Sequence, residues 1–275
     1  MTTKGFDMPE ALHSYHPKIR VERDHHVITV TLDAPKLKNA CTGNMWVALG
    51  RSFRELAGSG ARVIVLTGAG GDFCSGADLT GGDEPPPEGP PASMLDSMRV
   101  LSDVVLAIYD CPIPVVAQVD GLCVGAGLGL ALAPDMTVCS DRARFSAIFA
   151  KRGLSFDFGT SWFLSRRVGV HRAKELAFTA KMLSATEAYA IGLVNSVVPA
   201  AELDATVAEL VETIASGPPV TLSMTKREID HASTSSLAEA LEAEAMAQSI
   251  NVKTKDTREA LLAFAERRPP VFTGQ

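Results

Sequence analysis

Two turns built of small residues and one isolated carboxylate are the parts of this chain that could do chemistry. The first turn lies in GLCVGAGLGLALAPD, Gly121 to Asp135, where four of fifteen residues are glycine. It follows an apolar, strand-like run, PIPVVAQVD (112–120), and leads towards a helix-like LGLALA. A glycine costs a helix interior about 1 kcal/mol relative to alanine, so something must come close to the backbone here. Nucleotide phosphate does not fit the spacing. Gly125, Gly127 and Gly129 read G-x-G-x-G instead of G-x-G-x-x-G, and Ala126 and Gly127 stand where a P-loop needs Gly-Lys. Two readings remain: close helix–strand packing, or a helix N-terminus whose free N–H groups stabilise a developing oxyanion. The second requires another donor. TGAGGDFCSGADL (Thr67 to Leu79) also follows an apolar strand, so two such turns could aim two N–H groups at one carbonyl oxygen.

The carboxylate is Asp157, set among apolar and small residues in GLSFDFGTSW. It can be read as an N-cap for the helix-like GTSWFLSRRVG, or as a general base whose pKa desolvation raises into a useful range. Asp78 reads as structural, bonding the backbone of its own turn. Asp120 and Asp135 flank the glycine-rich stretch as turn or cap residues, and His25 and His26 read as turn residues.

Strand and helix signals alternate along the elements that must hold these groups. VITVTLD (Val27 to Asp33) has the pattern of a half-buried strand, entered through a turn at 23–26. NMWVALGRSFREL sets Met45, Leu49, Phe53 and Leu56 on one helical face, with Thr42 as N-cap. RVIVLTGAG is continuously apolar, as a buried parallel strand should be. GGDEPPPEGPP (81–91) can be neither helix nor central strand, and a helix is predicted from Met94 to Tyr109. MTVCS (136–140) reads as a further strand. Beyond Pro199 alanine, glutamate and leucine dominate, and helices are predicted near 202–216, 219–231, 236–250 and 255–267. The division expected is an α/β body over 1–199 and a helical segment over 200–275.

Composition narrows the function classes. A formal net charge of −6 over 275 residues argues against general nucleic-acid or membrane-surface binding. The first twelve residues lack the apolar core of a signal peptide, and no run approaches transmembrane length. Five cysteines without C-x-x-C spacing point to reduced, buried thiols and a cytoplasmic protein, and no ligand cluster suggests a metal.

With these pieces in order, the chain resembles the crotonase, or enoyl-CoA hydratase/isomerase, superfamily. The resemblance rests on PKLKNACT, RVIVLTGAGGDFCSGADL, PIPVVAQVDGLCVGAGLGLALAPDMTVCSDRARFS, RGLSFDFGTSW, EAYAIGLVNSVVP and AFAERR, from about Ile19 onward. It implies an α/β fold with a crotonase-like ββα spiral core and a C-terminal helical segment. It also implies an oxyanion hole, made by the N–H groups of Ala77 and Ala126, that holds the thioester oxygen of an acyl-CoA and stabilises an enolate. Hydratases of this family carry two glutamates; the matching positions here are Gly129 and Phe149. Neither moves a proton.

Family members with isomerase activity often carry an aspartate where Asp157 stands. A lone carboxylate suits a 1,3-proton shift, so the resemblance implies an enoyl-CoA isomerase-type reaction with Asp157 as base. The alternatives are a hydratase with atypical groups, a dehalogenase- or hydrolase-like enzyme using Asp157 as nucleophile, and a non-catalytic acyl-CoA-binding protein. No cofactor is implied beyond the CoA of the thioester itself. Lys36 and Lys38 would meet its phosphates, Ser75, Ala77, Asp78 and Leu79 would border adenine and pantetheine, and Phe264 and Arg267 would approach from a neighbouring helix. None of the six histidines falls on a catalytic position of the family. A homotrimer or dimer of trimers is implied, and an apolar acyl group is expected, with Met94, Leu95, Met98, Phe149, Phe156, Phe158 and Trp162 as candidate lining.

Overall fold

The computed structural model describes residues 10–80 and 93–275. The proline-rich stretch 81–91 lies outside the described residues. The chain opens with β1 (Glu10–Ala11), β2 (Ile19–Asp24) and β3 (Val27–Leu32), a meander whose tight turn places His25 at φ 51°. Helix α1 (Gly43–Leu56) follows; the Thr42 side chain caps it by accepting from Met45 N. Its predicted face, Met45, Leu49, Phe53 and Leu56, is buried.

Strand β4 (Val63–Gly68), helix α2 (Met94–Tyr109), β5 (Val115–Val119), β6 (Leu122–Val124) and α3 (Ala126–Leu132) come next. They are followed by β7 (Met136–Ser140), β8 (Arg144–Ser146), α4 (Thr160–Val168), α5 (Val170–Thr179), β9 (Leu183–Ser184), α6 (Ala185–Ala190) and β10 (Ser196–Val198). The C-terminal region is helical, with α7 (Leu203–Ala215), α8 (Pro219–Ala232), α9 (Leu237–Asn251) and α10 (Lys255–Glu266). α2 has the bounds its periodicity predicts, and the last four helices fall where they were expected.

Seven strands form the main sheet in the order β1-β2-β3-β4-β5-β7-β10, antiparallel through β3 and parallel beyond it. Alternate residues of the central strands serve opposite faces. Ile64 and Leu66 of β4 join the core beneath α1 and α2, while Val63 and Val65 pack on Leu203, Val207 and Val211 of α7. Both faces are covered, which is why these strands read as continuous apolar runs.

A second sheet, β6-β8-β9, escaped the sequence reading, as did α5 and α6, whereas α4 lies within the helix-like GTSWFLSRRVG. Strands of two or three residues carry too little periodicity to be recognised. This small sheet positions the glycine-rich turn. All five cysteines are buried free thiols, and burial pushes the Cys139 thiol up to about 12. Among the described residues no helix is long and apolar enough to cross a membrane.

Candidate active site

Both small-residue turns end at one place, and backbone pairing puts them there. Cys74 N–H donates to Leu122 O at 2.9 Å and Cys74 O accepts from Val124 N at 3.0 Å, which ties the first turn to β6. On its other side, Cys41 N–H donates to Gly76 O and Asp78 N–H donates to Cys41 O, each at 2.9 Å. In such a parallel bridge the paired residue, Ala77, turns its own N–H away from Cys41. Ala126 is the first residue of α3, where an N–H has no intrahelical acceptor. Among the described residues neither the Ala77 nor the Ala126 N–H has an acceptor. The two turns touch: a Cβ built on Gly76 (φ +98°) would stand 3.4 Å from the Ala126 nitrogen. Two unsatisfied donors at one surface are the requirement for an oxyanion hole.

Gly125 takes φ +60° to deliver the chain into α3, a conformation other residues rarely adopt. The remaining glycines of the stretch answer to packing, as one of the two sequence readings has it. A Cβ on Gly121 would meet Gly71 O at 2.2 Å, and one on Gly127 would meet Cys74 O at 2.2 Å. At Gly129 the obstruction is Phe158 O, at 2.5 Å, and Phe158 Cβ, at 2.7 Å. The position that bears a glutamate in hydratases is therefore closed to any side chain. The other such position, Phe149, is 4% exposed and meets Phe156 edge-on at 5.3 Å between ring centres.

The contact of Gly129 with Phe158 also locates Asp157. Gly129 lies one helical turn beyond Ala126, so the 157–160 turn rests against the first turn of α3, about 5 Å along the axis from the free N–H. Phe158 is held at φ 50°, followed by Gly159 at φ 69°. A left-handed phenylalanine is strained; burial of its ring against Trp46, 4.4 Å away, holds it there. The Asp157 side chain does not cap α4. Gly159 occupies the N-cap with no side-chain bond, and only the Asp157 carbonyl is engaged, accepting from Thr160 N at 2.9 Å. Asp157 Oδ1 is buried with no partner among the described residues. Burial pushes this carboxyl up to about 6, against a small opposing bond from its own backbone N–H. A carboxylate with one oxygen unpartnered and a pKa raised towards neutrality is suited to take and return a proton.

The other acidic residues are structural. Asp78 accepts from Thr80 N and Oγ1 at 2.9 and 2.6 Å. Asp120 accepts from Gly121 N and Ser140 Oγ and pairs with Arg142, contacts that outweigh its desolvation and hold its pKa low. Asp135 accepts from Val115 N at 2.7 Å and pairs with Lys226 at 3.0 Å.

Lys36 and Lys38 stand exposed on a turn that abuts the first donor segment. Ser75 N–H donates to Lys38 O at 3.0 Å and Ser75 Oγ donates to Leu37 O at 3.1 Å. Ala77 and Leu79 are exposed beside them. Asn39, whose role the sequence did not disclose, is fully buried beneath this turn. Its side chain accepts from Ala34 N at 2.9 Å and donates to Ala69 O and Asp72 O, so it fixes one donor segment to the other loop. Its signal was the run Lys-Asn after a proline turn, since asparagine tolerates the left-handed φ of 55° found here.

Phe264 and Arg267 are not brought to this site within one chain. Phe264 is 86% exposed, and Arg267 ends α10 in a left-handed cap. The tail beyond them is tied through Phe272 O to Arg62, at the N-terminal end of β4, whereas Ala77 follows its C-terminal end. Of the expected acyl lining, Met98, Phe156 and Phe158 border a cavity of about 370 Å³ beside Asp157. Met94 and Leu95 are exposed and Phe149 is core.

Comparison with known proteins identifies the family to which this fold belongs. The enoyl-CoA hydratase/isomerase family model matches residues 22–275. The chain belongs to that family. It is 36% identical to a "probable enoyl-CoA hydratase" of Rhodobacter capsulatus, over 95% of this chain and 100% of that protein. It is 33% identical to the 1,2-epoxyphenylacetyl-CoA isomerase of Escherichia coli K12, over 90% and 95%. The crystal structure of an enoyl-CoA hydratase from Mycobacterium smegmatis superposes with a TM-score of 0.86 at 32% identity, covering 94% of this chain and 99% of that one.

Proposed function

We propose that the protein is an enoyl-CoA isomerase that moves a double bond by a 1,3-proton shift, with Asp157 as the single base. The observation that carries this reading is Asp157, whose Oδ1 is buried without a partner among the described residues and whose pKa is pushed up to about 6, while Gly129 is closed to a side chain and position 149 holds a phenylalanine. Bound as a 3-enoyl thioester, the substrate places its carbonyl oxygen on the Ala77 and Ala126 N–H groups. Asp157 takes a proton from the α-carbon, and the electron pair moves into the conjugated enolate, whose charge rests on the thioester oxygen. The Asp157 acid then returns the proton at the γ-carbon, giving the 2-enoyl thioester. No water is consumed, so the missing glutamates are not needed. Lys36 and Lys38 would hold CoA phosphates, and the backbone from Ser75 to Leu79 would border the rest of the CoA.

The functional unit we propose is a trimer or dimer of trimers. Helices α8 to α10 expose Ile229, Leu237, Met246, Ile250 and Leu261, a face expected to be covered by neighbouring subunits, with Phe264 and Arg267 of one subunit reaching the site of another. A solution mass of one chain would rule out this assembly.

Product analysis tests the reaction. Incubating the enzyme with a 3-enoyl-CoA in deuterated water is expected to yield the 2-enoyl-CoA carrying some solvent deuterium, because a lone carboxyl exchanges its proton between steps. A 3-hydroxyacyl-CoA as the main product would replace the isomerase reading with a hydratase one.

A further inference from the structure

A cavity of about 420 Å³ lies where the C-terminal ends of α2, α3 and α4 meet α8. It shares no lining residue with the cavity beside Asp157. Helix α4, about 14 Å long at its rise per residue, runs from the Asp157 turn to this second space. Its apolar walls come from Trp162 and Phe163 of α4, Met136 of β7, Ile214 of α7 and Leu222 of α8. Trp162, expected from the sequence as acyl lining, does not border the Asp157 cavity; its ring lies here instead.

The charged side chains that border it are Asp135, Arg166, Arg167, Lys226 and Asp230, which leaves one positive charge in excess. Both acids are already engaged. Asp135 pairs with Lys226 at 3.0 Å and accepts from Val115 N at 2.7 Å, and Asp230 is hydrogen-bonded to Tyr109. Neither arginine has a carboxylate partner among the described residues. Arg166 is exposed and stacks on Trp162, 3.9 Å from the ring centre, with one long bond to Trp162 O at 3.4 Å. Arg167 is half-buried and donates from one nitrogen, Nη2, to Leu132 O and Pro134 O at 2.9 and 3.2 Å. Burial lowers its pKa, opposed by the charge of Asp135, which Lys226 already neutralises. A guanidinium carries five N–H donors, so both arginines keep several to offer.

We propose that this cavity is a second ligand site, which takes a small free carboxylic acid with an aryl or medium-length alkyl body. The carboxylate lies against Arg166 and Arg167, whose planar forks match its two oxygens. The body lies against Trp162, Met136, Ile214 and Leu222. Charge and shape together select this class. Inorganic phosphate would answer the charge and gain nothing from the apolar walls. A neutral amide would fill the walls and leave the guanidinium groups without an anion. The acid would bridge α4 to α8, and so hold the C-terminal helical segment against the body. The site does not depend on Asp157 being a base.

Titration calorimetry on the full chain tests the site, with phenylacetate, octanoate, phenylacetamide and inorganic phosphate as probes. Both carboxylates are expected to bind at least about tenfold more tightly than phenylacetamide or phosphate, the low end for a hydrogen bond to a charged group. Arg166→Gln should weaken the carboxylates by about tenfold and leave phenylacetamide unchanged. Arg167→Lys, which keeps the charge and loses the fork, should weaken them as well. If that buried substitution unfolds the chain, the exposed Arg166→Gln decides alone. Saturating acetyl-CoA should not displace octanoate, and octanoate should raise the melting temperature, since it binds only the folded chain. No measurable carboxylate binding would overturn the proposal, as would phenylacetamide or phosphate binding equally well. Displacement by acetyl-CoA would put the acid at the thioester site and overturn it too. So would carboxylate affinity that survives Arg166→Gln in folded protein.

Discussion

Asp157→Asn is expected to slow isomerisation by about 100-fold or more while leaving acyl-CoA affinity nearly unchanged, the range typical of a lost general base. Affinity should persist if, as proposed, the Ala77 and Ala126 N–H groups, which the substitution leaves alone, hold the thioester. The base works as the carboxylate, so kcat/KM of the unmodified enzyme should rise with pH through about 6 and then level off. Asp157→Asn should lose that limb. Stability should move the other way. The folded-state pKa is raised, so the folded protein holds this proton more tightly than the unfolded chain does. The contribution is complete below the ordinary carboxyl value near 4 and is lost as pH rises through about 6. At neutral pH the buried charge is a cost, and an asparagine there should leave the melting temperature equal or higher. Undiminished turnover in a folded Asp157→Asn protein would remove Asp157 from the chemistry.

Ala126→Pro is expected to reduce turnover by about 100- to 1000-fold, the loss seen when one oxyanion donor is deleted. It should also weaken acyl-CoA binding, which separates it from Asp157→Asn. The fold should survive. Ala126 is the first residue of α3, a position that suits proline, and its N–H has no acceptor to lose. The preceding Gly125, at φ 60° and ψ −129°, is outside the helical region that a following proline disfavours. Thermal unfolding, thioester affinity and rate measured together decide the case. A folded proline variant with near-normal rate would place the carbonyl oxygen elsewhere.

Much of this molecule was legible as pattern. The face of α1 through Met45, Leu49 and Phe53, the Thr42 cap, the bounds of α2 and the apolar run of β4 are all local signals. A helix or strand writes its period into consecutive residues, and these elements obey it. The two small-residue turns after strands, the family and the absence of both hydratase glutamates were likewise readable from residue identities and order.

Contacts between distant segments were not. Sequence alone left Asp157 divided between cap and base; the structure decides against the cap, because Gly159 occupies the N-cap of α4 while Asp157 Oδ1 lies buried without a partner among the described residues. Likewise, a glycine removed for a ligand and one removed for a carbonyl of the same chain look identical in sequence. Only the tertiary structure divides Gly121, Gly127 and Gly129, which yield to Gly71, Cys74 and Phe158, from Gly125, which turns the chain so that the Ala126 N–H stays free. Periodicity is set by neighbours along the chain. Burial, steric closure and the pKa of a carboxyl are set by whatever another element places against it, and that partner has no fixed distance in sequence.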